Sequence, residues 1–361
     1  MLSSRPFVSL ALRPLPSLTA RNLVRAFATD SRPSSLQSTE SSGVRPRRAL
    51  FYIPGSDERK LKSSLKSNAD CLVYDLEDGV AFNRKGAARG MILDALEAVK
   101  DRRERAVRIN AVGSGLELDD LNVVLHSKSL QAIVIPKVQS AKDVQFVSQM
   151  IDTVAPEVTR RNIRLIASIE SALAIMNLKE IATSDPRLDA LIFAAEDYCA
   201  DTGITRSPHR TELLFARGAV VNAAVAFGLQ AIDLVCFDYQ DDAILEEECR
   251  EGRGMGFSGK QAIHPRQIDT IQKMFLPDQA DLERAVRIVE GYEQHSVKGI
   301  GAFALDGKVV DLPVVKWAER LIAKAKAAEM PIASSSSSST ASASPSSSNP
   351  SASSDTSASK K

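Results

Sequence analysis

Four acidic residues and one arginine stand where they could work together: Glu77 and Asp78 in Leu76-Glu77-Asp78-Gly79, Glu170 in Ser168-Ile169-Glu170-Ser171, Asp197 in Ala195-Glu196-Asp197, and Arg108 in Val107-Arg108-Ile109-Asn110. Carboxylates gathered at one place repel, which raises some of their pKa values unless a cation lies among them. Oxygen-only ligation selects Mg2+ or Mn2+ over zinc, and Mg2+ takes one or two carboxylates and completes its octahedron with water and substrate. Glu170 and Asp197 are the expected direct ligands, because they end consecutive apolar runs whose strands would lie about 4.8 Å apart. Glu77 and Asp78 would then hold the metal's waters. Each acid could instead be a solvent-facing loop carboxylate or a helix cap. Arg108, between two β-branched neighbours, should face the same place. There it would bind a substrate carboxylate bidentately, stabilise a developing enolate oxygen, or pair with Glu77 or Glu170.

These residues converge only if the chain brings many segment ends to one face. Short apolar runs alternate with longer amphipathic stretches, the pattern of repeated strand–helix units around a parallel sheet. The strands expected are 49–53, 71–74, 106–109, 132–135, 163–169, 190–193, 232–236 and 260–263, with helices such as 84–100, 141–154 and 211–227 between them. Eight such units predict a (β/α)8 TIM barrel over 47–275, followed by a C-terminal helical extension over 276–330. Barrel enzymes carry their chemistry on the loops after the strands. Here those positions hold Glu77 and Asp78, Arg108, Lys137, Glu170, Glu196 and Asp197, Asp238 and His264, in chain order.

Other features narrow the function classes. Lysine plus arginine is 46 against 45 aspartate plus glutamate, so no global field draws the chain to nucleic acid or to an anionic membrane. No apolar run approaches the roughly 18–20 residues of a membrane span. Cys71, Cys199, Cys236 and Cys249 stand far apart, which suits a reducing compartment and no cysteine-built zinc site. Gly252 to Gln261 comes close to a phosphate-binding P-loop. It has Gln261 where a hydroxyl is required, however, and it follows a helix rather than a strand, so its glycines are expected in a helix-to-strand turn. The histidines show no metal-ligand spacing, and His264 before Pro265 is expected to be a structural hydrogen bonder. Residues 1–29 carry Arg5, Arg13, Arg21 and Arg25 and no acid before Asp30, the composition of a mitochondrial transit peptide, with a disordered tail as the alternative. Residues 30–46 read as a polar linker. Residues 331–361 hold 16 serines and are expected to be disordered.

Taken in order, Phe51-Tyr52-Ile53-Pro54-Gly55-Ser56, the Glu77, Arg108, Glu170 and Asp197 motifs already quoted, Ile135-Pro136-Lys137-Val138 and Gly256-Phe257-Ser258-Gly259-Lys260-Gln261-Ala262-Ile263-His264-Pro265 resemble the citrate lyase β-subunit and malyl-CoA lyase group of the HpcH/HpaI aldolase superfamily. The resemblance runs from about Arg47 to Ala327. It implies a Mg2+-dependent barrel that assembles as a homotrimer and cleaves a 3-hydroxyacyl-CoA into acetyl-CoA and a 2-oxo acid. The segment Ala226 to Val235 resembles a mitochondrial branch of the group, for which the substrate would be (3S)-citramalyl-CoA and the 2-oxo acid pyruvate. Position by position, the resemblance implies Glu170 and Asp197 as metal ligands and Arg108 as the substrate-binding arginine. Asp311, in Gly307-Lys308-Val309-Val310-Asp311-Leu312-Pro313, would be an acid/base aspartate contributed by a neighbouring subunit, or simply the cap of the following helix. Tyr52, Arg59, Arg84, Lys85 and Arg89 fall where the group binds the CoA nucleotide, and Gln261 and Ala262 where it contacts the pantetheine arm. Ser171 stands in place of the group's usual threonine, and Ala194-Ala195 in place of its usual glycines. The implied alternatives are a malyl-CoA lyase or thioesterase, a malate-synthase-like condensation, and a noncatalytic CoA-binding barrel.

Overall fold

The computed structural model describes residues 45–299 and 301–332. The expected transit peptide (1–29), most of the expected linker (30–46) and nearly all of the serine-rich tail (331–361) lie outside the described residues. Eight strands, β1 (Ala49–Pro54), β2 (Cys71–Asp75), β3 (Glu104–Arg108), β4 (Ala132–Ile135), β5 (Arg164–Ile169), β6 (Leu188–Phe193), β7 (Gln230–Asp233) and β8 (Gly259–Ala262), close into a barrel in chain order. Every neighbouring pair is parallel, including β1 with β8. The helices that alternate with them are α1 (Glu58–Ser64), α2 (Lys85–Ala98), α3 (Glu117–Val124), α4 (Ala141–Val154), the short pair α5 (Ala172–Met176) and α6 (Leu178–Ala182), α7 (Ala195–Thr202), α8 (Leu214–Phe227), α9 (Asp242–Met255) and α10 (Gln267–Met274). The (β/α)8 architecture expected from the periodicity is the one observed.

Local sequence explains the elements. β4 is Ala132-Ile133-Val134-Ile135, fully buried at every position, as a strand covered on both faces must be. α4 begins where the Asp143 carboxylate accepts a 2.9 Å hydrogen bond from Ser140 N. It buries Val144, Val147 and Ile151, whose spacing puts them on one face. Each such side chain contributes roughly 1.5–3 kcal/mol on burial. Alternation along the strands divides the core in two. Leu50, Cys71, Val73, Ala106, Val134, Ile166, Ile192 and Ile232 fill the barrel, while Phe51, Leu72, Tyr74, Val107, Ile133 and Leu191 pack against the helices. At the foot of the barrel, fully buried Arg47 donates to Glu104 at 2.5 and 2.7 Å and to Asp189 at 2.8 Å, tying the chain before β1 to β3 and β6. Arg45, inside the stretch expected as linker, also pairs with Glu104 at 3.2 Å.

Some boundaries move. β7 ends at Asp233 rather than Cys236: Leu234 and Cys236 are fully buried, but in a loop, and an apolar run does not by itself separate the two. β8 ends at Ala262, leaving Ile263 partly exposed. The glycine-rich stretch is a helix-to-strand turn, as expected. α9 runs through Met255, and Gly256, at φ 104°, occupies the left-handed region that closes it.

After α10 come α11 (Gln279–Ser296), a hairpin of β9 (Phe303–Leu305) and β10 (Lys308–Val310), and α12 (Leu312–Ala327). Ala285, Ile288, Val310, Val315 and Ala318 give this extension a core of its own. Arg253 in α9 links it to the barrel, donating to Leu276 O and the Asp278 carboxylate, each at 2.9 Å. Among the described residues no helix is long and apolar enough to cross a membrane.

Candidate active site

The inward rows of the strands continue upward into charged residues. Leu50 is followed on its face by Tyr52, Val73 by Asp75, Ala106 by Arg108, and Ile166 by Ser168 and then Glu170. Period-2 alternation therefore delivers Tyr52, Asp75, Arg108 and Glu170 to the barrel mouth.

Arg108 is the centre of the arrangement. Its Nε and Nη2 donate to the two oxygens of Asp75, each at 2.8 Å, and Nη1 lies 2.9 Å from Glu77 Oε2. Its guanidinium sits 4.9 Å from the centre of the Tyr52 ring. Burial would lower the arginine's pKa, but the charge and hydrogen bonds of Asp75 outweigh it and hold the group firmly protonated. The same burial pushes the Tyr52 hydroxyl up, so the ring is a neutral platform. Asp75 was not among the expected site residues. The signal was present: Asp75 and Arg108 are the last residues of adjacent strands and are paired in register.

Asp75 also shapes the loop that follows it. Its Oδ1 accepts from Glu77 N at 2.8 Å and its Oδ2 from Gly79 N at 2.9 Å. A Cβ on Gly79 would come within 2.4 Å of that Oδ2, so glycine is required for the close approach. Glu77, only 4% exposed, gives its second oxygen to Lys137 Nζ at 2.6 Å, and exposed Asp78 accepts from the same nitrogen at 3.3 Å. Burial raises the Glu77 pKa and Arg108 opposes it. Both Glu77 oxygens thus lie against cations of the chain itself, Oε1 hydrogen-bonded to Lys137 and Oε2 paired with Arg108 by charge without a hydrogen bond.

Glu170 and Asp197 are placed differently. Glu170 Oε2 is buried with no hydrogen-bond partner. Its carboxyl is pushed up to about 7, chiefly by burial, with the Ser168 hydroxyl opposing and the charges of Glu77 and Asp197 adding to the effect. Asp197 lies in the first turn of α7, where the helix dipole favours an acid, and its side chain makes no ion pair or hydrogen bond among the described residues. Its neighbour Glu196 is held by Arg206 at 2.6 Å. A buried carboxylate oxygen without a donor, beside a second unpaired carboxylate, fits a hard divalent cation. Among the described residues no three His, Cys, Asp or Glu side chains are grouped to enclose a metal, so a bound ion would take its remaining ligands from water and substrate.

The expected CoA-binding residues separate into two groups. Arg59 and Arg84 are exposed, and their side chains make no hydrogen bond or ion pair among the described residues. Lys85 is not free for a phosphate: it is buried, and its three N–H groups go to Leu76 O (2.8 Å), Glu77 O (3.0 Å) and Asn110 Oδ1 (2.6 Å). Arg89 is likewise taken, by Asp120 at 2.8 Å and Asp119 at 3.2 Å. Gln261 points into the barrel and donates to Phe193 O and Asp233 O, at 3.0 and 3.1 Å. Ala262, on the opposite face of the strand, is fully buried in the helix-side core and offers no surface to a ligand. Tyr52 faces the mouth, its ring beneath the Arg108 guanidinium. His264 stacks on Tyr239 with ring centres 4.6 Å apart and accepts from Arg266 N at 3.3 Å, a structural role as expected.

Asp311 caps α12, accepting from Val314 N at 3.4 Å, and is exposed. Among the described residues its side chain makes no hydrogen bond or ion pair with a residue of the mouth.

A barrel with this set of residues matches known proteins over its whole length. The description "HpcH/HpaI aldolase/citrate lyase" covers residues 48–265. Human mitochondrial citramalyl-CoA lyase is 38% identical over 291 residues, spanning 78% of this chain and 86% of that protein. The citrate lyase subunit beta of Escherichia coli K12 is 35% identical over 292 residues, spanning 80% and 96%. Among solved structures, the CitE protein of Mycobacterium tuberculosis in complex with magnesium, acetoacetate and coenzyme A superposes with a TM-score of 0.64 at 30% identity, over 78% of this chain and 98% of that one. A shared fold, a matched span that takes in all eight strands of the barrel, and identity above one third to curated relatives lead to one conclusion: the chain belongs to the HpcH/HpaI aldolase/citrate lyase family.

Proposed function

We propose that this protein is a Mg2+-dependent acyl-CoA lyase that cleaves (3S)-citramalyl-CoA into acetyl-CoA and pyruvate in mitochondria. The observation that carries the reading is the pair Glu170 and Asp197, unpaired acceptors at the mouth, beside an arginine fixed in place by Asp75 and Glu77. What Mg2+ supplies when bound is polarisation of the substrate's hydroxyl and carboxylate oxygens, which lowers the hydroxyl pKa. The chain's own residues do the rest. Arg108, already charged and oriented, stabilises the thioester oxygen as enolate charge develops there during cleavage of the carbon–carbon bond. Asp311 of a neighbouring copy takes the hydroxyl proton and returns it to the acetyl carbon. An exposed Asp311, flanked by partly exposed Leu312 and Trp317 and strongly exposed Val309, supports delivery to a second subunit of a homotrimer. Arg59 and Arg84 supply free positive charge for the CoA phosphates. The arginine-rich, acid-free leader and the mitochondrial human relative support the location.

The test is product profiling. The purified protein should release acetyl-CoA and pyruvate from (3S)-citramalyl-CoA faster than acetyl-CoA and glyoxylate from malyl-CoA. The opposite ranking would move the assignment to malyl-CoA. CoA binding by calorimetry with no turnover of either would leave a noncatalytic barrel.

A further inference from the structure

Lys137, just beyond β4, has a backbone φ of 51°, in the left-handed region that favours glycine. A lysine kept against that preference at the edge of a site points to a side chain that is needed there. Its Nζ lies 2.6 Å from Glu77 Oε1 and 3.3 Å from Asp78 Oδ2. Glu77 in turn holds Arg108 with its other oxygen, at 2.9 Å. Charges then match in two sets. Arg108 and Lys137 neutralise Asp75 and Glu77, and the two carboxylates that remain at the mouth, Glu170 and Asp197, match one divalent cation. Asp78 is exposed to solvent. The charge of Glu77 acts on Glu170, and with Lys137 gone the Glu77 oxygen it holds at 2.6 Å would be free to turn toward the same ion.

We infer that Lys137 is a positioning residue that reserves Glu77 for Arg108, so that the metal is held by Glu170 and Asp197 alone and keeps open positions for substrate. This rests on the metal reading above. Removing the lysine should release Glu77 toward the ion and tighten binding, whereas damage to the fold would weaken it.

The probe is Mn2+ alone, titrated into the full-length, substrate-free protein and followed by electron paramagnetic resonance. Lys137→Met should bind Mn2+ at least about five-fold more tightly than wild type, and Lys137→Arg about as wild type does. In a Glu77→Gln background, Lys137→Met should add nothing. Unchanged or weaker Mn2+ binding by Lys137→Met, with an unchanged melting curve, would overturn the inference. So would full tightening in the Glu77→Gln background, which would mean that the lysine acts by bulk charge. Lys137→Gln repeats the test in a second variant, since the side chain is 41% exposed and its loss leaves no buried hole. Wild type that binds no Mn2+ would overturn both this inference and the metal reading, so the two failures are distinguishable.

Discussion

At the scale of the residue, the chemistry rests on which carboxylates are paired. Arg108, Glu170 and Asp197 were legible in the sequence because their types are unusual at the ends of apolar runs. Their partners were not, because pairing is a property of register and packing. Asp75 lies three positions from Asp78 in the same run, yet only the β2–β3 register shows that it grips Arg108. Glu170 gives a prediction with a definite sign. Its carboxyl, at about 7 against an ordinary 4.5, keeps a proton in the fold where the unfolded chain has lost one. In the metal-free protein its stabilising contribution is therefore fully present below about 4.5 and lost as pH rises through 7. Metal binding needs the carboxylate, so metal affinity moves the other way. Calorimetry in chelator should show wild type losing stability relative to Glu170→Gln between about pH 4.5 and about pH 7 and little further loss above that, while the rise in Tm on adding Mg2+ grows over the same interval. Parallel pH curves for the two proteins would contradict this assignment.

At the scale of the element, the alternation of strands decides what each side chain can reach. Gln261 and Ala262 are neighbours on β8, so their side chains face opposite sides, and of the two only the Gln261 side chain turns into the barrel. The start of α2 shows the same division. Arg84 is exposed, whereas Lys85, one residue on, turns inward and fastens the loop after β2 to Asn110 beyond β3. Basic residues near a helix start were legible as a group, but which of them face solvent depends on the helical turn and on what the neighbouring loops offer, here Leu76 O, Glu77 O and Asn110 for Lys85. The two residues should therefore respond differently. Lys85→Met leaves two carbonyls and an amide oxygen without their donor and should cost about 2 kcal/mol or more of stability, read as a lower Tm. Arg84→Ala should leave Tm unchanged and raise KM for the acyl-CoA about ten-fold. An acyl-CoA KM effect of Lys85→Met at unchanged stability would restore its expected place at the phosphates.

At the scale of the whole molecule, the barrel and its mouth were legible because eight repeats of one pattern leave few alternatives, while the assembly was not, because the chain alone does not show what its extension touches. Asp311 caps its own helix and makes no hydrogen bond or ion pair with a mouth residue among the described ones. If a neighbouring copy receives it, inactive variants should complement. Glu170→Gln retains Asp311 and lacks a working mouth; Asp311→Asn retains the mouth and, since asparagine also caps helices, the fold. Each alone should be inactive, and an equal mixture allowed to exchange subunits should recover about one quarter of wild-type activity, the statistical share of sites with both intact. No recovery despite demonstrated exchange would place the acid/base elsewhere. The central claim, metal-dependent cleavage at this mouth, is tested most directly by a coupled assay of (3S)-citramalyl-CoA with Mg2+ and again after chelation. The predicted result is acetyl-CoA and pyruvate in equal amounts with Mg2+, none in chelator, and recovery when Mg2+ is restored; product formation that chelation leaves untouched, or no cleavage by a protein that binds CoA, would contradict it.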